Sequence, residues 1–226
     1  MKGGRVERAL VIGASGGIGS AMVAALEARG VAVTGVSRSA DGLDVTDAAS
    51  VERVLGALKG PFDLVFVATG ALVVDGYEPE KAVAAVTAKG ALDQMAVNAV
   101  GPMLVVQQAL KLIPKAERSV IAVLSARVGS IGDNSIGGWH SYRAAKAALN
   151  QMMRGAAIEM KRTHKAATLL CLHPGTVETP FTAAYAGRHK TVPAGEAAAN
   201  LLAVIEGATP EVSGGFFDYA GKEIPW

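Results

Sequence analysis

The sequence predicts an α/β domain built on a doubly wound parallel sheet. Short runs rich in β-branched residues alternate with longer alanine-rich stretches, the order expected when a helix follows each strand. The runs are almost continuously apolar, as strands are when helices cover both faces of a sheet. No internal repeat or linker interrupts this alternation, so we expect one domain over residues 1–226.

Six strands and five helices can be assigned along the chain. The strand candidates are 9–13, 31–37, 63–69, 119–125, 167–173 and 215–219. The helix candidates, in which apolar residues recur at helical spacing, are 18–29, 47–58, 89–112, 139–163 and 195–205. Asp47 stands at the start of the second helix, and we interpret its side chain as an N-cap.

Composition and charge exclude several classes of function. Half of the 226 residues are hydrophobic and only 19% are charged, which is enough apolar material for a sizeable core. The net charge is +2 and the basic residues are scattered rather than grouped with aromatics, so we expect no nucleic-acid partner. No apolar run reaches membrane-spanning length and the N-terminus is unlike a signal peptide. We therefore expect a cytoplasmic protein without membrane contact.

Cysteine and histidine usage argues against disulfide and metal chemistry. Cys171 is the only cysteine and lies in an apolar run, which favours an inert core thiol over a reactive one. The four histidines, His140, His164, His173 and His189, show no metal-ligand spacing. We therefore expect no bound metal.

A glycine-rich turn directly follows the first strand. Glycines let the backbone turn sharply and approach a pyrophosphate, which then lies at the positive N-terminus of the next helix. The spacing is G-x-x-x-G-x-G, and the alternative interpretation is a tight strand–helix junction without a ligand. Its place after the first strand favours a nucleotide cofactor. The candidate contacts in this turn are Gly13, Ser15, Gly17, Ile18 and Gly19.

The end of the second strand bears on which cofactor is bound. An NAD site usually places an acidic residue there for the ribose hydroxyl, whereas an arginine accommodates the 2′-phosphate of NADP. This chain offers Ser37 and Arg38 and no carboxylate, which favours NADP(H), although Arg38 could instead be a solvated strand-end residue. Asp44 and Val45 follow as further candidate contacts, with Asp44 at the adenine edge.

Tyr142 and Lys146 lie four residues apart in an alanine-rich stretch that predicts a helix. Positions i and i+4 share one helix face, so the two side chains lie one turn apart. A phenol with a pKa of about 10 is a poor acid–base catalyst at neutral pH, and a nearby ammonium lowers that pKa. The pair is therefore either an acid with its electrostatic partner or an ordinary solvated helix face.

Seven short motifs follow one another along the chain. They are Gly13-x-x-x-Gly17-x-Gly19, "LDVTD" (43–47), "ATG" (68–70), "NAVGP" (98–102), "VLSARVG" (123–129), "YRAAK" (142–146) and "HPGTVETP" (173–180). In this order they resemble the short-chain dehydrogenase/reductase family over almost the full length of the chain. The stretch 125–150 is especially similar to the carbonyl-reductase subgroup that includes C-factor-like and sniffer-like proteins. The family implies a Rossmann-type, seven-stranded parallel sheet in three layers, and hydride transfer between nicotinamide C4 and a carbonyl or alcohol carbon.

The resemblance also implies roles for individual residues. Tyr142 would donate a proton to the carbonyl oxygen as the hydride arrives. Lys146 would lower the pKa of Tyr142 and hold the nicotinamide ribose. Asn98 corresponds to the helix asparagine that anchors a water molecule in the proton relay. The resemblance therefore favours the catalytic interpretation of the tyrosine–lysine spacing.

Two departures from the family pattern affect this assignment. The family's catalytic serine is usually the second residue of an S-S-x-x-G run, where this chain has Ala126. Ser125 is the nearest hydroxyl and our choice for the catalytic serine, although strand alternation could point it away from the substrate. Ser130 is the alternative. The second departure is "ATG" in place of N-A-G, whose candidate cofactor contacts are Ala68, Thr69 and Gly70.

The segment after the sixth motif would complete the site. Pro174 and Gly175 can bend the backbone past the nicotinamide. The positions of Val177 and Thr179 correspond to family contacts with its carboxamide and with the phosphates. Residues 181–193 stand where the family places its substrate lid. The family also commonly assembles through the helices predicted at 89–112 and 139–163, which implies a homodimer or homotetramer.

Two functions from different classes remain open at this stage. The leading one is an NADP(H)-dependent carbonyl reductase acting on small or medium aldehydes and ketones. The other is a cofactor-binding, C-factor-like signalling or regulatory protein with little turnover. The missing second serine favours the latter, and the presence of Tyr142, Lys146 and Asn98 favours the former.

Overall fold

The computed structural model of the protein describes residues 6–179 and 191–226. Its strands are β1 (Arg8–Ile12), β2 (Ala32–Val36), β3 (Leu64–Val67), β4 (Ser119–Leu124), β5 (Ala167–His173), β6 (Val177–Glu178), β7 (Val192–Pro193) and β8 (Phe216–Asp218). Its helices are α1 (Gly17–Glu27), α2 (Arg38–Asp41), α3 (Ala48–Gly56), α4 (Ala88–Met95), α5 (Gly101–Ala109), α6 (His140–Met160) and α7 (Ala194–Gly207). All six predicted strands and all five predicted helices are present, and a π-helical turn at Ala96–Val100 divides the helix predicted at 89–112 into α4 and α5.

The main sheet has the strand order β2-β1-β3-β4-β5-β8, and every neighbouring pair is parallel. The chain first moves outward from β1 to β2 and then returns to the other side of β1, so the order reverses between β1 and β3. Ligands of open α/β sheets bind at the carboxyl ends of the strands beside such a reversal. The doubly wound α/β prediction is confirmed.

The seven-stranded sheet implied by the resemblance is not observed, because the described residues form a six-stranded main sheet. A parallel strand needs a crossover connection of a dozen or more residues. Only residues 37–47 separate β2 from α3, and they contain the single turn of α2 and the "LDVTD" segment. This stretch is too short for a crossover and another strand, so β2 is the edge of the sheet.

Helices pack on both faces of the sheet and give the three layers that the resemblance implied. On one face, Leu149 and Met153 of α6 belong to the same buried cluster as Val123 and Cys171. On the other face, residues of α1 and α7 cluster with the alternate side chains of the strands, among them Met22, Leu26, Leu201, Leu170 and Leu172. Burial raises the pKa of the Cys171 thiol to about 12, as expected of an inert core cysteine.

Candidate active site

The predicted site residues that lie within the described part of the chain gather at one edge of the sheet. They follow the carboxyl ends of β1, β2, β3, β4 and β5 or stand on the helices that these strands lead into. Parallel strands bring their carboxyl ends to the same edge, where ligands of this fold class bind. The architecture therefore explains why motifs spread over the whole chain come together.

The glycine turn is too crowded for side chains. Gly13 has a left-handed φ of 83°, and a Cβ on Gly19 would lie 2.1 Å from the Gly13 carbonyl oxygen. A Cβ on Gly17 would lie 2.5 Å from Cγ2 of Thr179, so the loop after β5 packs directly on the turn. Helix α1 begins here, and its N-cap Gly16 makes no side-chain cap bond. Its positive end therefore suits a pyrophosphate.

The end of β2 combines a buried serine with an exposed arginine. The hydroxyl of Ser37 accepts a hydrogen bond from the Ala40 backbone N–H at 3.1 Å and so caps α2. The Ser37 N–H donates to a carboxylate oxygen of Asp41 at 2.8 Å. Arg38 is exposed at the edge of the sheet. Ser37 thus shapes the turn that presents Arg38.

The "LDVTD" segment is held by its own hydrogen bonds. Asp44 Oδ1 accepts from the N–H and the hydroxyl of Thr46 at 2.9 and 2.7 Å. These bonds, with a smaller contribution from Arg38, lower the pKa of Asp44. Val45 packs against the start of α5, since a Cβ on Gly101 would lie 2.9 Å from its side chain. Asp47 caps α3 through the Ala49 N–H at 3.0 Å, as predicted.

Tyr142 and Lys146 are buried on α6, with 5% and 3% of their surface exposed. The Lys146 Nζ lies 5.9 Å from the centroid of the Tyr142 ring and donates a hydrogen bond to the Leu124 carbonyl oxygen at 3.0 Å. The loop after β4 presses on this turn of α6, because a Cβ on Gly129 would lie 2.8 Å from the Lys146 Cβ. The pair is therefore part of the interior and not a solvated helix face.

The pKa values of the pair are dominated by burial. Burial lowers the pKa of Lys146 to about 8, against a small opposing effect of Cys171. Burial also raises the pKa of Tyr142 well above its ordinary value. In the protein on its own, desolvation of the phenolate therefore sets the direction of the shift. The lowering expected from Lys146 together with the cationic nicotinamide of the oxidised cofactor stays a prediction. The phenol carries its proton at neutral pH.

Asn98 lies at the π-helical turn between α4 and α5 and is fully buried. Its Oδ1 accepts from the Ala71 N–H at 3.1 Å, and its Nδ2 donates to the Ala71 carbonyl at 2.8 Å and to Gln94 Oε1 at 2.6 Å. A Cβ on Gly70 would lie 2.9 Å from Asn98 Oδ1 and 3.6 Å from Lys146 Nζ. Asn98 thus fixes the loop after β3 beside Lys146. The π-helical turn on which Asn98 lies is of a kind that is frequent at functional sites.

Each of the two candidate serines donates its hydroxyl hydrogen to another residue of the protein. Ser125 Oγ is buried and donates to Asn150 Oδ1 at 2.6 Å. Ser130 Oγ donates to the Pro225 carbonyl and accepts from the Asp133 N–H at 3.1 Å. Sequence reasoning missed Asn150, although it stands four residues after Lys146 and so shares the helix face of Tyr142 and Lys146.

The loop after β5 contains the remaining predicted contacts. Gly175 has a φ of 80°, and a Cβ there would lie 3.0 Å from the Tyr219 ring, while Pro174 is half-buried beside it. Val177 is buried in β6, which pairs in parallel with β7. Of the lid predicted at 181–193, residues 181–190 lie outside the described residues.

A polar cluster lies beside this loop at the ends of β5 and β8. Arg127 bridges Asp133 at 3.3 Å and Asp218 at 3.1 Å. His173 is paired in register with Asp218, and its Nδ1 is a buried atom with no hydrogen-bond partner among the described residues. Burial, aided by Arg127 and opposed by Asp218, lowers the pKa of His173 to about 4. The imidazole is therefore neutral at physiological pH.

The described ranges contain neither a metal-ligand group nor a membrane-spanning helix. Within residues 6–179 and 191–226, no three His, Cys, Asp or Glu side chains are grouped as metal ligands. The helices in those same ranges include none that is long and apolar enough to cross a bilayer.

Comparison with known proteins places these features in a family. The family model described as short chain dehydrogenase matches residues 7–189. The 1-hydroxy-2-glutathionyl-2-methyl-3-butene dehydrogenase of Rhodococcus sp. (strain AD45) is 32% identical over 239 residues, which cover 96% of this chain and 98% of the relative. C-signal of Myxococcus xanthus is 38% identical over 130 residues, which cover 58% and 75% of the two chains.

A solved structure agrees with these relatives. A short-chain dehydrogenase/reductase from Burkholderia multivorans with bound NADP superposes with a TM-score of 0.79 at 25% identity, over 98% of this chain and 100% of the other. The similarity to C-signal also confirms the resemblance to C-factor-like proteins. The order of the motifs, the parallel sheet and these matches lead to one conclusion: the chain belongs to the short-chain dehydrogenase family.

Proposed function

We propose that this protein is an NADP(H)-dependent oxidoreductase of the carbonyl-reductase type. It transfers hydride between the nicotinamide and a small or medium carbonyl or alcohol substrate. The observation that carries the proposal is the buried pair Tyr142 and Lys146, which lies beside Gly70 at the same sheet edge as the glycine turn. A protonated phenol next to a buried amine is a suitable acid for a carbonyl oxygen.

The residues present fit a dinucleotide with a 2′-phosphate. The turn around Gly13 and Gly19 brings bare backbone and the N-terminus of α1 to the place of a pyrophosphate. Arg38 would hold the 2′-phosphate, and Lys146 the nicotinamide ribose. The NADP bound by the Burkholderia multivorans structure supports this choice. When bound, the reduced cofactor supplies the hydride.

Tyr142 supplies the proton in this proposal. Burial keeps the proton on its Oη at neutral pH, so the acid form is abundant before the reaction. When the proton moves to the carbonyl oxygen, negative charge develops on Oη of the Tyr142 ring, whose centroid lies 5.9 Å from the Lys146 Nζ. The Leu124 carbonyl holds that ammonium in place. Lys146 therefore stabilises the phenolate after transfer and does not need to create it beforehand.

Asn98 and Ser125 support this pair. Asn98 ties the loop after β3 to the π-turn, and by resemblance it also anchors the relay water. Ser125 stays our predicted catalytic hydroxyl, with Ser130 as the alternative. Because Ser125 donates its hydrogen to Asn150, we expect it to contribute less to the reaction than Tyr142 does.

We also propose that the chain assembles as a homodimer or homotetramer through α4, α5 and α6. Large apolar side chains are exposed on or between these helices, including Leu92, Val100 and Ile158. Such side chains would be buried by a second copy. Sedimentation at micromolar concentration tests the assembly, and a monomer alone would contradict it.

The function is tested by mixing the protein with NADPH and a panel of aldehydes and ketones while cofactor absorbance is followed. We expect turnover with at least one carbonyl and weak or no turnover with NADH. A protein that binds NADPH yet reduces no carbonyl, and oxidises no alcohol with NADP, would contradict the proposal.

A second candidate is a signalling protein that binds the cofactor with little turnover. The 38% identity to C-signal and the alanine at position 126 favour it. The same assay separates the two candidates, because a signalling protein would bind NADPH without consuming it. The buried pair of Tyr142 and Lys146 favours the enzyme.

A further inference from the structure

The N-terminus of α6, which carries Tyr142, is held by a residue from a distant loop. The chain enters this helix through three successive left-handed residues, Gly137, Gly138 and Trp139, with φ values of 71°, 67° and 52°. Trp139 is the N-cap residue, and its side chain makes no cap bond. The first N–H groups of a helix need acceptors from outside the helix.

Glu80 provides these acceptors. One carboxylate oxygen, Oε2, accepts from the Ser141 N–H at 3.1 Å, and the other, Oε1, accepts from the Ser141 hydroxyl. The backbone carbonyl of Glu80 accepts from the Trp139 N–H at 2.5 Å. A carboxylate at a helix N-terminus also interacts favourably with the helix dipole. Burial opposes ionisation of Glu80, but the hydrogen bonds from Ser141 and from the Glu80 backbone N–H, with a smaller contribution from His140, together lower the pKa of the carboxyl.

The hydrogen bonds to Glu80 affect the position of Tyr142 in two ways. Ser141 directly precedes Tyr142, so fixing its N–H and hydroxyl fixes the backbone from which the phenol projects. Trp139 lies edge-on to the Tyr142 ring, with centroids 6.2 Å apart and planes at 72°. Trp139 and Ser141, the two residues that hydrogen-bond to Glu80, therefore both lie next to the proton donor Tyr142.

Arg143 holds the same loop from the other side. Its Nε donates to the Gly138 carbonyl at 2.9 Å, and its Nη2 donates to the Gly137 carbonyl at 3.2 Å. Its Nη1 reaches the Val128 carbonyl at 3.4 Å, in the loop that packs on Lys146. The left-handed turn is thus clamped between Glu80 and Arg143.

We infer that Glu80 is a positioning residue for Tyr142, an inference that rests on the proposed function. Proton transfer requires the donor oxygen within hydrogen-bond reach of the substrate oxygen, and a misplacement of about 1 Å can cost about 10²-fold in rate. Helix α6 is 21 residues long with many buried positions, so the loss of one cap leaves the fold intact. The effect of Glu80 should therefore appear mainly in the chemical step.

The test compares Glu80→Ala, Glu80→Gln and the matched loop control Glu78→Ala, whose side chain is exposed. We expect Glu80→Ala to lower kcat by about 10- to 100-fold with an unchanged Kd for NADPH. Glu80→Gln should recover most of the rate, because its amide oxygen still accepts from the Ser141 N–H. Glu78→Ala should match the wild type.

Hydrogen–deuterium exchange of the segment 139–147 adds a readout that needs no substrate. Glu80→Ala should exchange faster there than the wild type, and Glu78→Ala should not. An unchanged kcat, an unchanged exchange rate or an equal loss for Glu80→Gln would overturn the inference. If Tyr142→Phe is inactive while Glu80→Ala behaves as the wild type, only this inference fails. If Tyr142→Phe keeps the wild-type rate, the proposed function fails with it.

Discussion

The cofactor half and the catalytic half of the site are built in different ways. The cofactor half uses backbone, because at Gly13, Gly17 and Gly19 the neighbouring protein atoms leave no space for a side chain. The catalytic half uses buried side chains that meet from different parts of the chain, as those of Ser125 and Asn150 do. The first half depends on the absence of side chains and the second on their precise burial. The two halves should therefore respond differently to substitution.

The largest expected effect lies in the catalytic half. Tyr142→Phe removes the phenolic proton and leaves the packing of the ring intact. We expect carbonyl reduction to fall by about 10²–10⁴-fold or more, with NADPH binding almost unchanged. Steady-state rates and a fluorescence titration of NADPH measure the two quantities. A variant that reduces carbonyls at the wild-type rate would remove Tyr142 from the mechanism.

In the cofactor half, a single methyl group should be enough to damage the site. The Cβ of Gly19→Ala would lie 2.1 Å from the Gly13 carbonyl oxygen, so the turn must move. We expect NADPH affinity to fall by at least about 10- to 100-fold, as for the loss of well-placed charged hydrogen bonds. Gly16→Ala is the matched control, since its Cβ would lie 3.4 Å from the same oxygen. Equal affinities for the two variants would show that the turn does not contact the cofactor.

Acid sensitivity should come from the polar cluster beside the loop after β5. His173 stays neutral in the folded protein down to a pKa of about 4, whereas the unfolded chain takes up the proton near 6.5. Between these values the unfolded state binds more protons, so the free energy of unfolding falls as pH falls from 6.5 towards 4. The loss amounts to about 3 kcal/mol at most.

Urea unfolding at pH 7.5 and at pH 5 measures this difference. His173→Asn should reduce the pH dependence, because asparagine does not titrate. An identical fall in both proteins would assign the acid sensitivity to other groups.

The preference for NADPH over NADH tests the role of Arg38 at the edge of the sheet. Arg38→Asp replaces the cation with an acidic residue, which suits the ribose hydroxyl of NAD and repels a 2′-phosphate. We expect NADPH to bind about 10- to 100-fold more weakly, and NADH to bind better by comparison. Parallel titrations of both cofactors measure this preference. Wild-type protein that binds NADH as tightly as NADPH would contradict the assignment.

The smallest expected effect concerns the serine. Ser125→Ala removes the hydrogen bond to Asn150, 2.6 Å long, and leaves the proton donor in place. We expect a rate loss of about tenfold or less, well below that of Tyr142→Phe. Ser130→Ala is the comparison. If Ser125→Ala is silent and Ser130→Ala is strongly impaired, Ser130 supplies the hydroxyl and the rest of the mechanism stands.

The sequence predicted best what depends on neighbouring residues. The strands, the glycine turn and the Asp47 cap follow from local patterns, and all are present. The sheet was expected to have one more strand because the resemblance implies seven, whereas the alternating pattern of the chain indicates the six that are present. The pKa of Tyr142 was expected to fall because the spacing to Lys146 is visible in sequence, whereas the burial that raises it is not.

Other features of the site had no signal in the sequence. The bond from Ser141 to Glu80 spans 61 residues, and nothing in the loop around Glu80 distinguishes it from Glu78. Asn150 could have been found from its spacing, but its pairing with Ser125 depends on which way a strand-end side chain points. Such contacts are decided by tertiary packing.

The short connection after β2 has a consequence for how the protein meets other chains. Because no further strand pairs with β2 among the described residues, its outer N–H and C=O groups form an open edge of the sheet. Open edges can recruit extended segments of other molecules and so promote aggregation. Here the edge is only five residues long and leads straight into Arg38, features that natural proteins use to discourage such pairing. We expect a longer β2, or the loss of the Arg38 charge, to make the protein more prone to aggregate.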